Sequence, residues 1–118
     1  MIVKEEKFQI IILIQKLIRD EDSYLLNFPK KEIELKQNIK NASLELLKII
    51  YEANITGDHE RQKMLQEKAI ALVKFIDFLI NMCYEKQIIN SKRYIRFGES
   101  LEKILRYILA WRKANAQG

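Results

Sequence analysis

Apolar residues recur every three or four positions along most of the chain, and this spacing predicts amphipathic α-helices. The pattern is interrupted at three places: residues 27–30, 56–58 and 88–91. We therefore expect four helices, at about residues 4–26, 30–55, 58–87 and 91–114. Connections this short favour antiparallel neighbours. The prediction is a single all-α domain over residues 1–118, an antiparallel up-down four-helix bundle.

The residues at the three interruptions are typical of helix ends. Pro29 disfavours a helical conformation at the residue before it, so the first helix should end ahead of that proline. Gly57 should stop the second helix. Asp58 is a plausible N-cap for the third helix, and Asn90 or Ser91 can cap the fourth.

The last two-thirds of the chain contain two regular apolar faces, each of which predicts core packing. In the second helix the face is Leu35, Ile39, Ala42, Leu46, Ile49 and Ala53. In the fourth helix it is Phe97, Leu101, Ile104, Ile108 and Trp111.

The first and third helices have apolar residues on more than one side. In the first helix, one stripe consists of Phe8, Ile11, Ile12 and Ile18, and an opposite stripe consists of Ile10, Ile14 and Leu17. Residues 69–83 are apolar around most of the third helix. Because exposed apolar surface of this size usually marks an association site, we expect a homo-oligomer with Ile10, Ile14 and Leu17 at its interface. The alternative is that these residues are buried deep within a monomer.

Composition points to an intracellular protein. The only cysteine, Cys83, excludes an intrachain disulfide and lies in an apolar stretch, where a buried thiol is expected. The longest strictly apolar run, Ile10 to Ile14, is far shorter than the roughly 18 residues of a membrane-spanning helix. The first residues also lack the order of a signal peptide. We expect a cytoplasmic location.

Charge is concentrated at the carboxyl end. The net charge is +5, and residues 1–90 contain equal numbers of basic and acidic residues. Residues 91–118 contain seven basic residues against Glu99 and Glu102, which accounts for the whole excess. At about 100° per residue, five of these cations fall within roughly a third of the helix circumference, opposite the apolar face. They are Lys92, Arg96, Lys103, Arg106 and Lys113.

Such a row of cations predicts sequence-independent, salt-sensitive binding to RNA or DNA phosphates. The alternative is a solvated face at a helix carboxyl end, where cations are favoured anyway. An oligomer would strengthen the field, since several copies of the row could line one surface.

The chain offers little catalytic chemistry. His59 has no second histidine or cysteine pair with which to form a zinc site, and the Glu-x-x-His motif of bundle di-metal sites does not occur. There is no glycine-rich phosphate loop and no nucleophile elbow. Asp77, set among apolar residues, could pair with a lysine or arginine or lie at an exposed edge. We predict no enzymatic activity, no cofactor and no metal site.

Three segments resemble the accessory variability determinant (Avd-like) family, the four-helix-bundle proteins of diversity-generating retroelements, which are related to 23S rRNA intervening-sequence proteins. The segments are Phe28-Pro29-Lys30, the stretch from Ile39 to Asn54, and the stretch from Ser100 to Trp111. The resemblance implies a non-enzymatic accessory subunit, a pentameric ring, and association with a reverse transcriptase. It also implies contact with RNA or DNA through basic surfaces, which we assign to the cations of the fourth helix.

Two other functions remain open from the sequence. One is an RNA-associated bundle that acts on rRNA without a polymerase, and the other is an interaction module that binds only protein.

Overall fold

Residues 2–117 form four long α-helices in a computed structural model, in which the side chains of residues 9–115 are described. The helices are α1 (Ile2–Tyr24), α2 (Ile33–Ile55), α3 (His59–Glu85) and α4 (Ser91–Gln117). A short 3-10 turn, Lys30–Glu32, leads into α2. No strand occurs within residues 2–117. The predicted four-helix bundle is confirmed.

Viewed along the bundle axis, the four helices lie at the corners of a square, and helices that follow one another in the chain are neighbours. α1 packs against α2 and α4, and α3 packs against the same two helices, so α1 and α3 lie on a diagonal of the bundle. Side-chain hydrogen bonds join residues 15 and 51, and residues 67 and 112, as expected for antiparallel neighbours. The bundle measures 47 × 23 × 19 Å, which matches helices of about 40 Å laid side by side.

The helix ends follow the local chemistry of the sequence. The Asp58 carboxylate accepts hydrogen bonds from the amides of Glu60 and Arg61, at 3.0 and 3.4 Å, and Asn90 accepts from the Arg93 amide at 2.9 Å. Both predicted caps are confirmed, with Asn90 rather than Ser91 capping α4. The predicted start of the second helix at residue 30 differs from the structure, because the turn after Pro29 is 3-10 before the α-helix begins at Ile33.

The bundle interior contains the two regular apolar faces predicted from the sequence. All six predicted residues of α2 and all five of α4 are buried, with Trp111 and Phe97 the largest side chains in the core. Cys83 is buried too, and burial raises the pKa of its thiol to about 11. A thiol with such a pKa is almost wholly protonated at neutral pH, and the thiolate is the reactive form.

The assignment of Ile10, Ile14 and Leu17 to an oligomer interface is wrong. All three side chains are fully buried in the core of a single bundle. The opposite stripe of α1 faces outward, with Ile12 41% exposed and Ile11 and Ile18 half-buried at the edge of the core. Phe8, also in that stripe, lies outside the residues whose side chains are described. Both stripes suit a helix equally well, and only the packing of α1 against α2 and α4 distinguishes them.

One ionisable group lies in the interior between α1 and α2. Glu21 is 3% exposed, and its Oε2 accepts a hydrogen bond of 2.6 Å from the Ser43 hydroxyl, while Oε1 has no partner. Burial is the main cause that raises the pKa of this carboxyl from 4.5 to about 8. Glu21 is therefore mostly neutral at pH 7. In the sequence Glu21 lies between Asp20 and Asp22, and this local acidic run gives no sign of its burial.

Candidate nucleic-acid interface

The five predicted cations of α4 lie on one exposed face of the bundle. We call Lys92, Arg96, Lys103, Arg106 and Lys113 the basic face; each of these side chains is exposed. Their direction is set by the opposite side of α4, where Phe97, Leu101 and Ile108 are buried against the other helices. From Lys92 to Lys113 the face extends roughly 30 Å along the helix axis.

None of the basic face residues forms an ion pair within the described side chains. Arg96 donates a hydrogen bond of 2.6 Å to the Tyr24 hydroxyl, a neutral partner that leaves its charge uncompensated. An unpaired, exposed cation is available to a phosphate without first breaking an internal salt bridge. The basic face is therefore chemically suited to bind a polyanion.

The other two arginines of α4 have internal roles. Arg93 donates to the Tyr24 carbonyl oxygen at 3.2 Å, and its guanidinium lies 5.1 Å from the centre of the Tyr24 ring. Arg112 pairs with Glu67 of α3 at 2.8 Å. These contacts tie α4 to α1 at one end and to α3 at the other. Arg96 shares the contact with Tyr24, so among these three arginines only Arg112 is in an ion pair within the described side chains.

One acidic residue interrupts the basic face. Glu99 is exposed and, at about 100° per residue, lies between Arg96 and Lys103 on the same side of α4. The five cations therefore carry a net charge of about +4 locally. Glu99 is three residues after Arg96 and four before Lys103, so its position on this side of α4 is already set by the sequence.

The other candidate residues do not form a reactive site. His59 is exposed, and no group of three or more His, Cys, Asp or Glu side chains that could hold a metal ion occurs in the described part of the chain. Asp77 is half-buried beside Lys74 and Glu102 in a cavity of about 210 Å³ between α3 and α4. It forms no ion pair among the described side chains, so the predicted internal partner is not found.

Two exposed apolar surfaces lie on different sides of the bundle. The first, the α3 stripe, follows the outer face of that helix with a spacing of seven, four, three and four. It comprises Met64, Ala71, Phe75 and Phe78, which are exposed, and Met82, which is half-buried. The second, the α1–α2 patch, comprises Ile12, Leu44, Tyr51 and Ile55. Because α1 and α3 are diagonal in the bundle, their outer faces point in opposite directions.

No family model, curated protein or solved structure matches the chain. No helix within residues 2–117 combines the length and apolar character needed to cross a membrane.

Proposed function

We propose that this protein is a non-enzymatic, oligomeric subunit that binds RNA or DNA through the basic face of α4. The specific role we propose is that of an accessory subunit of a diversity-generating retroelement, which binds the reverse transcriptase and its nucleic acid during mutagenic reverse transcription. The observation that carries the proposal is the row of five exposed cations without an internal ion pair. The polymerase partner rests on the resemblance to the Avd-like family, and the cytoplasmic location rests on the composition of the sequence.

The basic face is expected to bind nucleic acid of any base sequence, because its cations interact with the phosphates. Cations that neutralise phosphates release condensed counterions, and the logarithm of the binding constant falls by about 0.7 per contact for each tenfold rise in salt on a single strand. With about four effective contacts per protomer, raising the salt from about 50 to about 300 mM should weaken binding to single-stranded RNA roughly 100-fold. Salt-independent binding would instead favour a protein-only interaction module.

The two exposed apolar surfaces support self-association through a second copy of this chain. A cyclic, head-to-tail assembly needs two different complementary surfaces on each subunit, whereas a twofold dimer needs only one. The α3 stripe and the α1–α2 patch are two such surfaces, and they point away from each other. We propose that they meet between neighbouring subunits of a ring, for which the family resemblance suggests five members. A ring would repeat the basic face around its circumference.

Replacing Arg96, Lys103 and Arg106 together with glutamine should weaken binding to a structured RNA about 100-fold at about 0.1 M salt, since three phosphate contacts are lost. Fluorescence anisotropy at several salt concentrations would measure both the affinity and its salt slope, which should fall by about 2. The matched control changes Lys30, Lys31 and Lys74 to glutamine, which removes three exposed cations outside α4 and outside both apolar surfaces. Equal losses in the two triple variants would contradict a specific role for the basic face.

Placing a lysine in either apolar surface should break the assembly without unfolding the bundle. Phe78 is 56% exposed and Ile55 is 82% exposed, so neither Phe78→Lys nor Ile55→Lys buries a charge within one subunit. Size-exclusion chromatography with light scattering should show smaller particles for both variants, with unchanged helicity by circular dichroism. Leu26→Lys, at a 72% exposed position outside both surfaces, is the control. A natural chain that runs as a monomer would rule out the proposed ring.

An rRNA-associated bundle is the second candidate, because the basic face suits rRNA as well as a retroelement template. Genomic context separates the two, since a neighbouring reverse-transcriptase gene with a variable repeat is expected only for the retroelement subunit. Co-purification of the protein with ribosomal particles at low salt, in the absence of such a neighbour, would favour the rRNA function.

A further inference from the structure

Two tyrosines are stacked on each other at the end of the bundle where α3 ends and α4 begins. The rings of Tyr84 on α3 and Tyr94 on α4 are nearly parallel, with an interplanar angle of 5° and ring centres 4.2 Å apart. The Tyr94 hydroxyl donates a hydrogen bond to the side-chain oxygen of Asn81 on α3, and Tyr94 packs half-buried against the core. Tyr94 is therefore held in place and gives the Tyr84 ring a fixed support.

Tyr84 is the exposed member of this pair. Tyr94 covers one face of its ring, and Tyr84 is still 40% exposed. Tyr84 also lines an open cavity of about 710 Å³ beside the turn between α3 and α4, which Tyr94 does not line. Part of the uncovered ring surface therefore borders the cavity, where a second flat, apolar group has room to stack on it. We call the uncovered ring surface of Tyr84 the tyrosine shelf.

The cavity beside the tyrosine shelf lies at the amino-terminal end of the basic face. Arg93 lines the cavity from the start of α4, directly after Lys92, the first cation of the basic face. Glu85 lines the same cavity from α3, so the charges of its lining balance. The cavity by itself therefore does not favour a free anion. It suits an uncharged flat group that is joined to phosphates held by the neighbouring basic face.

We propose that the tyrosine shelf stacks one base of a single strand whose phosphates lie on the basic face. Every base has a flat π surface, so stacking on an aromatic ring adds affinity for any base sequence. A base within a duplex is already stacked, so the shelf requires a single strand or an unpaired end. The choice of a base as ligand rests on the proposed function. A free nucleotide presents the same flat surface without the neighbouring phosphates.

Replacing Tyr84 with leucine should weaken binding to single-stranded DNA about 10-fold, because leucine keeps an apolar cover on Tyr94 and removes the aromatic surface. The probe is a labelled oligothymidine of about 12 nucleotides, followed by fluorescence anisotropy. The salt slope should stay that of the natural chain, since no phosphate contact is lost. Tyr84→Trp, which enlarges the aromatic surface, should bind at least as tightly as the natural chain.

An abasic strand of the same length separates stacking from charge, because it presents the same phosphates without bases. The natural chain should bind it about 10-fold more weakly than oligothymidine, and Tyr84→Leu should bind the two strands equally. Tyr51→Leu is the matched control: Tyr51 is 41% exposed on α2, which does not contact α4, and leucine keeps the α1–α2 patch apolar. It should bind both strands as the natural chain does.

A tyrosine that only covers the core would give a different result. Its replacement by leucine would lower the melting temperature and leave the ratio of the two affinities unchanged. That unchanged ratio would overturn the shelf proposal, while salt-dependent binding of both strands through the basic face would still support the proposed function.

The free nucleotide 5′-AMP tests the tyrosine shelf without the basic face. Stacking should shift the proton NMR resonances of the Tyr84 ring, which are identified by their loss in Tyr84→Leu. If 5′-AMP produces this shift but no strand binds, the proposed function fails and the shelf assignment survives. If strand binding depends on Tyr84 and 5′-AMP gives no shift, the shelf holds a base only within a strand, as proposed.

Discussion

Replacing Glu21 with glutamine is expected to make the protein more stable than the natural chain at about pH 8, and to leave it similarly stable at about pH 5. The two side chains have the same shape, and both can accept the hydrogen bond from Ser43. They differ in that only the glutamate can ionise inside the bundle. The comparison therefore isolates the cost of a buried carboxylate.

The direction in which stability changes with pH follows from the two pKa values of Glu21, which are 4.5 in the unfolded chain and about 8 in the bundle. Between them, the folded state holds a proton that the unfolded state has released, so stability falls as the pH rises. Each pH unit in this window lowers the free energy of unfolding by about 1.4 kcal/mol, and the whole window lowers it by about 5 kcal/mol at most. Below the window both states are protonated, and above it both are ionised, so the cost no longer changes.

Urea unfolding followed by circular dichroism at several pH values would measure this effect at a fixed protein concentration. The natural chain should lose stability from about pH 5 to about pH 8 more steeply than Glu21→Gln. Glu45→Gln, which removes an exposed carboxylate from α2, should keep the slope of the natural chain. Parallel curves for the natural chain and Glu21→Gln would mean that the carboxyl is not neutral in the folded protein.

Shortening Ile14 to alanine should destabilise the bundle by about 2–5 kcal/mol, whereas Ile12→Ala should cost less than about 1 kcal/mol. Ile14 is fully buried, so the change leaves a cavity among the core side chains; Ile12 is 41% exposed and borders solvent. The two substitutions delete the same atoms from the same helix. The difference between the two losses of unfolding free energy therefore shows which side of α1 faces the core.

Chemical denaturation of both variants would provide the comparison, and size-exclusion chromatography would show their effect on assembly. Ile12 belongs to the α1–α2 patch, so Ile12→Ala should weaken self-association while the single bundle keeps its stability. If Ile12→Ala were the more destabilising of the two, the orientation of α1 in the bundle would be incorrect.

Much of the candidate site follows from local spacing. Five cations at intervals of three, four and seven residues must share one side of a helix once α4 forms, and the apolar residues opposite them turn that side toward solvent. The same spacing places Arg93 and Arg112 outside this arc, at about 100° and 200° from Lys92. Spacing could not show what the arginines contact: Arg93 and Arg96 both bond to Tyr24 on α1, and Arg112 pairs with Glu67 on α3. These partners are far away in the sequence.

The burial of Gln66, which is 1% exposed, is a purely tertiary feature. Gln66 looks like an ordinary polar residue in the sequence, and its burial arises only because α4 covers that side of α3. The same is true of Glu21, which follows an aspartate and precedes another, yet is the one member of the acidic run that points between α1 and α2. Periodicity places a residue on a helix face, but it does not report which neighbour covers that face.

By itself, the sequence determined the number of helices, their caps, the core faces of α2 and α4, and the location of the excess positive charge. These features depend on interactions within one or two helical turns. The tertiary structure alone decided which apolar stripe of α1 is buried, which partners the arginines of α4 contact, and which polar side chains lie in the interior. An α-helix with apolar residues on two sides can pack by either, and the choice depends on the combined burial of all four helices.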